Sequence, residues 1–178
     1  MELYEAMESR RSIRKYKGTP VPKKILNKIL NAARLAPSWK NQQCWRLIVV
    51  QAEETRRRLA ESLPGDNPAL KALTQAPLII VLCAHPGDSG NMDQKEYYML
   101  DAGLAMQHFM LAARAEGLGT CWVGRFSEGK VREICRVPGE YKVVALSPLG
   151  VPELMPDPRP RKQLTETVFI EQWGNPLE

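Results

Sequence analysis

The alternation of apolar and polar positions divides the chain into short, well-bounded elements. Ile25, Ile29, Ala32, Ala33 and Ala36 recur at helical spacing, with Pro22 suited to a first turn and Pro37 to a stop, so a helix is expected over 22–36. A shorter helix over 2–8 precedes it. Residues 46–50 read as a strand, 53–63 as a polar surface helix and 67–75 as a shorter helix. From Pro77 to Ala84 every residue is apolar and many are branched, the pattern of a strand buried on both faces. The longest helix is expected over 94–116. It is apolar on more than one side (Tyr97, Leu100, Leu104, Phe109 and Met110 among others), with Gly117 as its C-terminal stop. A helix of that kind lies at the centre of a domain or is shared with a partner subunit. A short strand over 120–123, a helix over 128–135 and a last core strand over 142–147 follow. The prolines of 152–161 preclude regular structure there, and 163–170 reads as extended. No internal repeat or linker is visible, so the expectation is one α+β domain with a C-terminal tail.

The composition agrees with a globular chain. Its 178 residues are 44% hydrophobic and 25% charged, and a chain of this length buries about 70% of its unfolded surface without staples. The longest apolar run falls far short of the ~18 residues needed to span a bilayer, and Met1–Arg11 has no apolar signal core. A cytoplasmic protein without membrane association is therefore expected. The net charge of +5 favours anionic ligands without choosing one. Cys44, Cys83, Cys121 and Cys135 form no C-x-x-C pair, and His85 and His108 lie far apart. No metal site is expected, and free thiols are the default.

Three polar clusters interrupt the apolar segments. Arg10, Arg11, Ser12 and Arg14 bring three guanidinium groups and a hydroxyl together just after a short helix. That set can grip a phosphate by bidentate hydrogen bonds, or form a solvated basic turn. Ser38, Asn41, Gln42 and Gln43 offer hydrogen-bonding groups for the edge of a heterocycle, with Trp39 and Trp45 able to stack on a ring or to anchor the core. In the segment Gly117–Phe126, Gly124 removes side-chain bulk where a backbone amide approaches a ligand, or simply makes a turn. Acidic residues such as Glu53, Glu54 and Glu61 are interspersed with Arg56–Arg58, which argues against a nucleic-acid surface.

Taken together these segments resemble the FMN-dependent nitroreductase superfamily in its short form. The matching residues are Arg10-Arg11-Ser12-Ile13-Arg14, Leu35-Ala36-Pro37-Ser38 with Asn41, Gln43 and Trp45, then Asp101-Ala102-Gly103 with Gln107. Gly117 to Gly124 and Pro148-Leu149-Gly150-Val151-Pro152 complete the set. The resemblance implies a mixed sheet flanked by helices, in an intertwined homodimer whose 152–178 tail wraps the partner. FMN would sit at the subunit interface. By the same resemblance Arg10, Arg11 and Ser12 hold the ribityl phosphate, together with Arg161 or Lys162 from the tail. Arg14 would face the pyrimidine edge. Pro37, Ser38, Asn41 and Gln43 would line the ring from the other subunit, and Trp122, Val123 and Gly124 would lie along it, with the Gly124 amide near N5. The implied activity is an NAD(P)H oxidoreductase with no catalytic side chain: flavin N5 passes a hydride from NADH or NADPH to a flat small-molecule acceptor such as a nitroaromatic or quinone. Flavin reduction, other reduced-flavin chemistry and non-catalytic FMN binding are the alternatives. Trp39-Lys40, Cys44 and Arg125 depart from the usual pattern. Trp39 either folds over the flavin or points to solvent, and Cys44 is expected to be a buried, inert thiol. Asp101 and His108 are expected to be structural.

Overall fold

Helix α1 (Leu3–Ser9) opens the chain, and extended backbone runs from its end to α2 (Lys23–Arg34) in the computed structural model, which describes residues 1–177. Pro22 stands at the N-cap of α2, and Leu26, Ile29 and Ala33 form its buried stripe. A single 3-10 turn at Trp39–Asn41 leads into β1 (Trp45–Val50). Helices α3 (Glu53–Ala60) and α4 (Leu70–Gln75) connect it to β2 (Leu78–Ala84). A hairpin of β3 (Asn91–Met92) and β4 (Lys95–Glu96) precedes the long helix α5 (Tyr97–Ala115). The elements β5 (Gly119–Thr120), α6 (Glu128–Cys135) and β6 (Lys142–Gly150) follow.

The main sheet has the order β1-β2-β6-β5, and its neighbouring strands are antiparallel. Trp45 faces Ala84 across β1 and β2, and Leu78 faces Leu149 across β2 and β6. A parallel bridge from Ser12 to Thr120 makes the β5 edge mixed. As its apolar run predicts, β2 is buried along its whole length. Because successive strand residues point to opposite faces, Leu78, Ile80, Leu82 and Ala84 pack with α2 and α5, while Ile79, Val81 and Cys83 pack with Leu59 of α3, Leu73 of α4 and Val131 of α6. The fold is thus an α+β sheet covered by helices on both faces.

Several expected bounds shift: the strand expected over 120–123 is Gly119–Thr120, and the helices expected over 53–63 and 67–75 are Glu53–Ala60 and Leu70–Gln75. The long helix starts at Tyr97 rather than 94, because residues 91–96 fold into a hairpin. Its turn holds Asp93 and Gln94 in the left-handed region, at φ 52° and 63°, without the glycine that usually marks such a turn. The last core strand continues beyond Ser147 to Gly150 and carries Pro148 in register with Ile79. The segment over 163–170 is not extended. Leu164–Glu166 forms a 3-10 turn in which Gln163 and Glu166 cap one another.

Helix α5 buries Ala102, Ala105, Met106, Phe109 and Ala113 on one side and leaves Met99 and Leu100 exposed on another. An open apolar groove of about 480 Å³ runs between α1, α2 and α5, lined by Met1, Leu3, Met7, His108 and Leu111 among others. Among the described residues, those beyond Val151 add nothing to the buried core. Among the described residues no helix is long and apolar enough to cross a membrane.

Burial pushes the Cys83 thiol up to about 12 and the Cys44 thiol up to about 11, both from 9.0. The folded state therefore keeps these thiols neutral at pH values where the unfolded chain ionises them. Their stabilising contribution is complete below pH 9 and is lost as pH rises toward the folded values. The urea midpoint is expected to fall between pH 8.5 and about 11, and less steeply in Cys83→Ala. Equal slopes in the two proteins would remove Cys83 from this role.

Candidate functional site

The segment that follows α1 is pinned at several points. Ile13 N–H donates to the Thr120 carbonyl at 2.8 Å, Lys17 N–H to the Val151 carbonyl at 2.9 Å, and the Lys15 carbonyl accepts from Glu153 N–H at 3.0 Å. Gly119 permits this close approach, since a Cβ there would meet the Ile13 side chain at 2.6 Å. The result is a fixed presentation of the basic cluster. Arg10, Arg11, Ser12 and Arg14 line a cavity of about 180 Å³, whose other wall is Pro156, Asp157, Arg159 and Arg161 from the tail. Five arginines and one aspartate line it, a balance of charge suited to a multiply charged anion such as a phosphate.

Those arginines are not equivalent. Arg11 donates to the carbonyls of Glu8 at 2.6 Å and Arg10 at 3.0 Å, closing the C-terminal end of α1. Arg161 donates to the carbonyls of Arg159 and Pro160 at 3.1 and 3.2 Å. Among the described residues the guanidinium groups of Arg10 and Arg14 donate no hydrogen bond within the chain.

Arg14 also lines a second cavity, of about 220 Å³, along Cys121, Trp122, Val123, Gly124 and Arg125, with Asn67 to Ala69 opposite. Val123 exchanges both backbone hydrogen bonds with Leu146 at 2.9 Å. In extended backbone the flanking amides point the other way, so the Trp122 and Gly124 N–H groups face the open side. A Cβ on Gly124 would meet the Trp122 indole at 3.3 Å. Burial pushes the Cys121 thiol up against the opposing pull of Arg14 and Arg10, so it stands here as a neutral wall residue. Arg125 pairs with Asp66 at 3.1 Å, and its carbonyl accepts from the Asn67 amide.

A model of the nitroreductase family matches residues 7–151. The chain belongs to that family. A nitroreductase family protein from Clostridium novyi NT has the same fold, with a TM-score of 0.84 and 38% identity over 99% of this chain and 97% of that one. A protein of Methanothermobacter thermautotrophicus named "Putative NADH dehydrogenase/NAD(P)H nitroreductase" is 32% identical over 97% of this chain and 88% of its own length. An FMN-dependent nitroreductase from Clostridium difficile R20291 matches with a TM-score of 0.81 and 28% identity over 96% and 99% of the two chains. Nitroreductase family membership makes this chain an FMN-dependent oxidoreductase supplied by NAD(P)H.

The residues present fit that cofactor. A cavity lined by five arginines and a second cavity lined by Trp122, Val123 and Gly124 share Arg14 as a lining residue, so one molecule with a phosphate at one end and a polar ring at the other can occupy both. Of the site residues expected from sequence, Arg10, Arg11, Ser12, Arg14, Trp122, Val123, Gly124 and Arg161 come together on these two cavities. Lys162 lines neither, and Arg159 takes a place beside Arg161. Pro37, Ser38, Asn41 and Gln43 line neither cavity. Trp39 folds over neither cavity: its ring packs on Tyr97 at 4.8 Å. Arg159 and Asn67 escaped the sequence reading, and Arg125, noted there only as a departure from the usual pattern, lines the second cavity. The alternation Pro158-Arg159-Pro160-Arg161 was the available signal for Arg159, since proline keeps such a run extended and both cations within reach of one anion.

Proposed function

We propose that this nitroreductase-family chain works as a homodimeric NAD(P)H:acceptor oxidoreductase on flat small molecules, nitroaromatics or quinones. The observation that carries this is the pair of cavities joined at Arg14. Bound there, FMN supplies the hydride chemistry at N5. Arg10, Ser12, Arg159 and Arg161 hold its phosphate, the free guanidinium of Arg10 contributing about 1.5–3 kcal/mol as a charged hydrogen bond. Arg14 faces the pyrimidine edge and favours the reduced, more negative ring over the oxidised one. The Gly124 amide, turned away from the sheet, orients the ring edge next to the reacting position.

On this reading one chain carries only part of the site. Pro37, Ser38, Asn41 and Gln43 lie apart from both cavities, and the exposed apolar face of α5, the groove beside α1 and the apolar groups of the tail lack a partner. A second copy supplies both needs, its loop over 37–43 closing the ring side while each 152–178 tail wraps the other chain. Residues 1–178 then form a single FMN-binding unit of a cytoplasmic enzyme.

The test is the visible spectrum of the purified protein before and after anaerobic NADH or NADPH. A flavin band that bleaches with one nucleotide and returns with a quinone or nitroaromatic is the expected result. A flavin band that neither nucleotide bleaches would overturn the reductase reading and leave a binding protein.

A further inference from the structure

The loop that carries Ser38, Asn41 and Gln43 does not adopt an unstrained backbone. Lys40, Asn41 and Gln43 all sit in the left-handed region, at φ 46°, 58° and 51°, which is unfavourable for residues with a side chain. Such strain persists only where the surroundings over-determine it. The loop's own hydrogen bonds give it shape. Asn41 N–H donates to the Ser38 carbonyl at 3.0 Å, Gln42 N–H to the Trp39 carbonyl at 2.9 Å, and Gln43 N–H to Ser38 Oγ at 2.9 Å. None of these fixes where the loop stands on the fold.

Asp101 does that. It lies one turn into α5 and is 3% exposed. Its Oδ1 accepts from the backbone N–H of Trp39 at 3.0 Å. Its Oδ2 accepts from the Ser89 hydroxyl at 2.7 Å and from the Cys44 thiol at 3.7 Å. One buried carboxylate thus grips the loop near its beginning and at its end, together with the segment leading to the β3–β4 hairpin. A second clamp is apolar. The Trp39 ring stacks on Tyr97 and lies against Gly90, where a Cβ would come within 2.6 Å of the indole. If stability alone were the task, a well-packed apolar side chain would serve α5 as well as a desolvated carboxylate does.

We propose that Asp101 is the positioning residue for the ring-contacting loop, setting Ser38, Asn41 and Gln43 in place jointly with Ser89. This rests on the reading that the loop lines the flavin ring. Asp101 itself lines neither cavity, so it acts through the backbone it holds.

The variants are Asp101→Asn and Ser89→Ala in the full chain. Asparagine keeps one oxygen for the Trp39 N–H but turns a donor toward Ser89 and Cys44. In the flavin-free protein, amide exchange at residues 41–43 should quicken about tenfold or more in Asp101→Asn, with β2 amides unchanged. Affinities for FMN and for riboflavin should fall by the same factor, about five- to fiftyfold, because the loss is at the ring end and not at the phosphate. A folded Asp101→Asn with unchanged exchange at 41–43 would overturn the proposal. So would faster exchange with riboflavin affinity unaltered, since Asp101 would then serve loop stability alone. Should Asp101→Asn fail to fold, Ser89→Ala is read by the same criteria. A wild-type protein that binds neither flavin would sink the flavin reading instead, and exchange at 41–43 would still decide whether Asp101 anchors the loop.

Discussion

Replacing Arg10 with alanine is expected to weaken FMN binding by about 1.5–3 kcal/mol, roughly 10- to 150-fold, with no loss of thermal stability. The reason is the division of labour among the arginines of the phosphate cavity. Arg10 lines the cavity and, among the described residues, its guanidinium has no hydrogen-bond acceptor in its own chain. Its removal therefore takes away a ligand contact and leaves no buried group unpaired. Arg11 differs. Its guanidinium satisfies the carbonyls of Glu8 and Arg10 where α1 ends, a place where a cation also meets the negative end of the helix. Arg11→Ala should lower the thermal midpoint as well as the affinity. Fluorescence quenching of FMN and thermal unfolding, run on both variants, separate the two roles. An Arg10→Ala protein that binds FMN within threefold of wild type would move the phosphate elsewhere.

Sequence periodicity located elements best where one face or both faces are buried. The helix over 128–135 has the expected bounds, and the apolar run to Ala84 is the two-sided central strand. Elements that depend on backbone conformation were harder to see. Asp93 and Gln94 turn a hairpin without glycine or proline, and Lys40, Asn41 and Gln43 hold left-handed angles that no local pattern announces. The arginine-lined cavity was partly legible because charge clusters are local: from sequence Arg10 to Arg14 read either as an anion grip or as a solvated basic turn. The tail's contribution was only half legible, since proline-rich sequence shows that Arg159, Arg161 and Lys162 are extended but not which of them face Arg10. Asp101 was the least legible. The sequence marks it only as part of the Asp101-Ala102-Gly103 match, expected to be structural, and its partners Trp39 and Ser89 lie 62 and 12 residues away.

Ending the chain after Val151 is expected to have the larger effect: a monomer that no longer retains FMN. Fixing backbone costs roughly 1–2 kcal/mol per residue, and the tail recovers little of this from its own chain. Glu153 N–H meets the Lys15 carbonyl and Pro152 bridges Tyr16, after which the segment is exposed. Leu154, Leu164, Ile170 and Trp173 all face outward, Trp173 at 92%. Its end is nonetheless shaped. Phe169 and Trp173 pack in a tilted pair at 4.9 Å, Leu177 N–H donates to the Val168 carbonyl at 3.0 Å, and Phe169 bridges Pro176. A formed apolar knob on an extended arm requires a surface to bury it. A tryptophan buries about 150–250 Å², which at about 25 cal/mol per Å² is worth roughly 4–6 kcal/mol. Truncation also removes Arg159 and Arg161 from the phosphate cavity, so FMN loss alone does not establish a wrapped dimer. Trp173→Ala separates the causes, because it leaves both arginines in place. If the proposed dimer forms, sedimentation equilibrium should show this variant dissociating at concentrations where the unaltered chain stays associated. A truncated chain that stays dimeric would confine the interface to α5 and the α1–α2 groove, and would free the tail of any part in it.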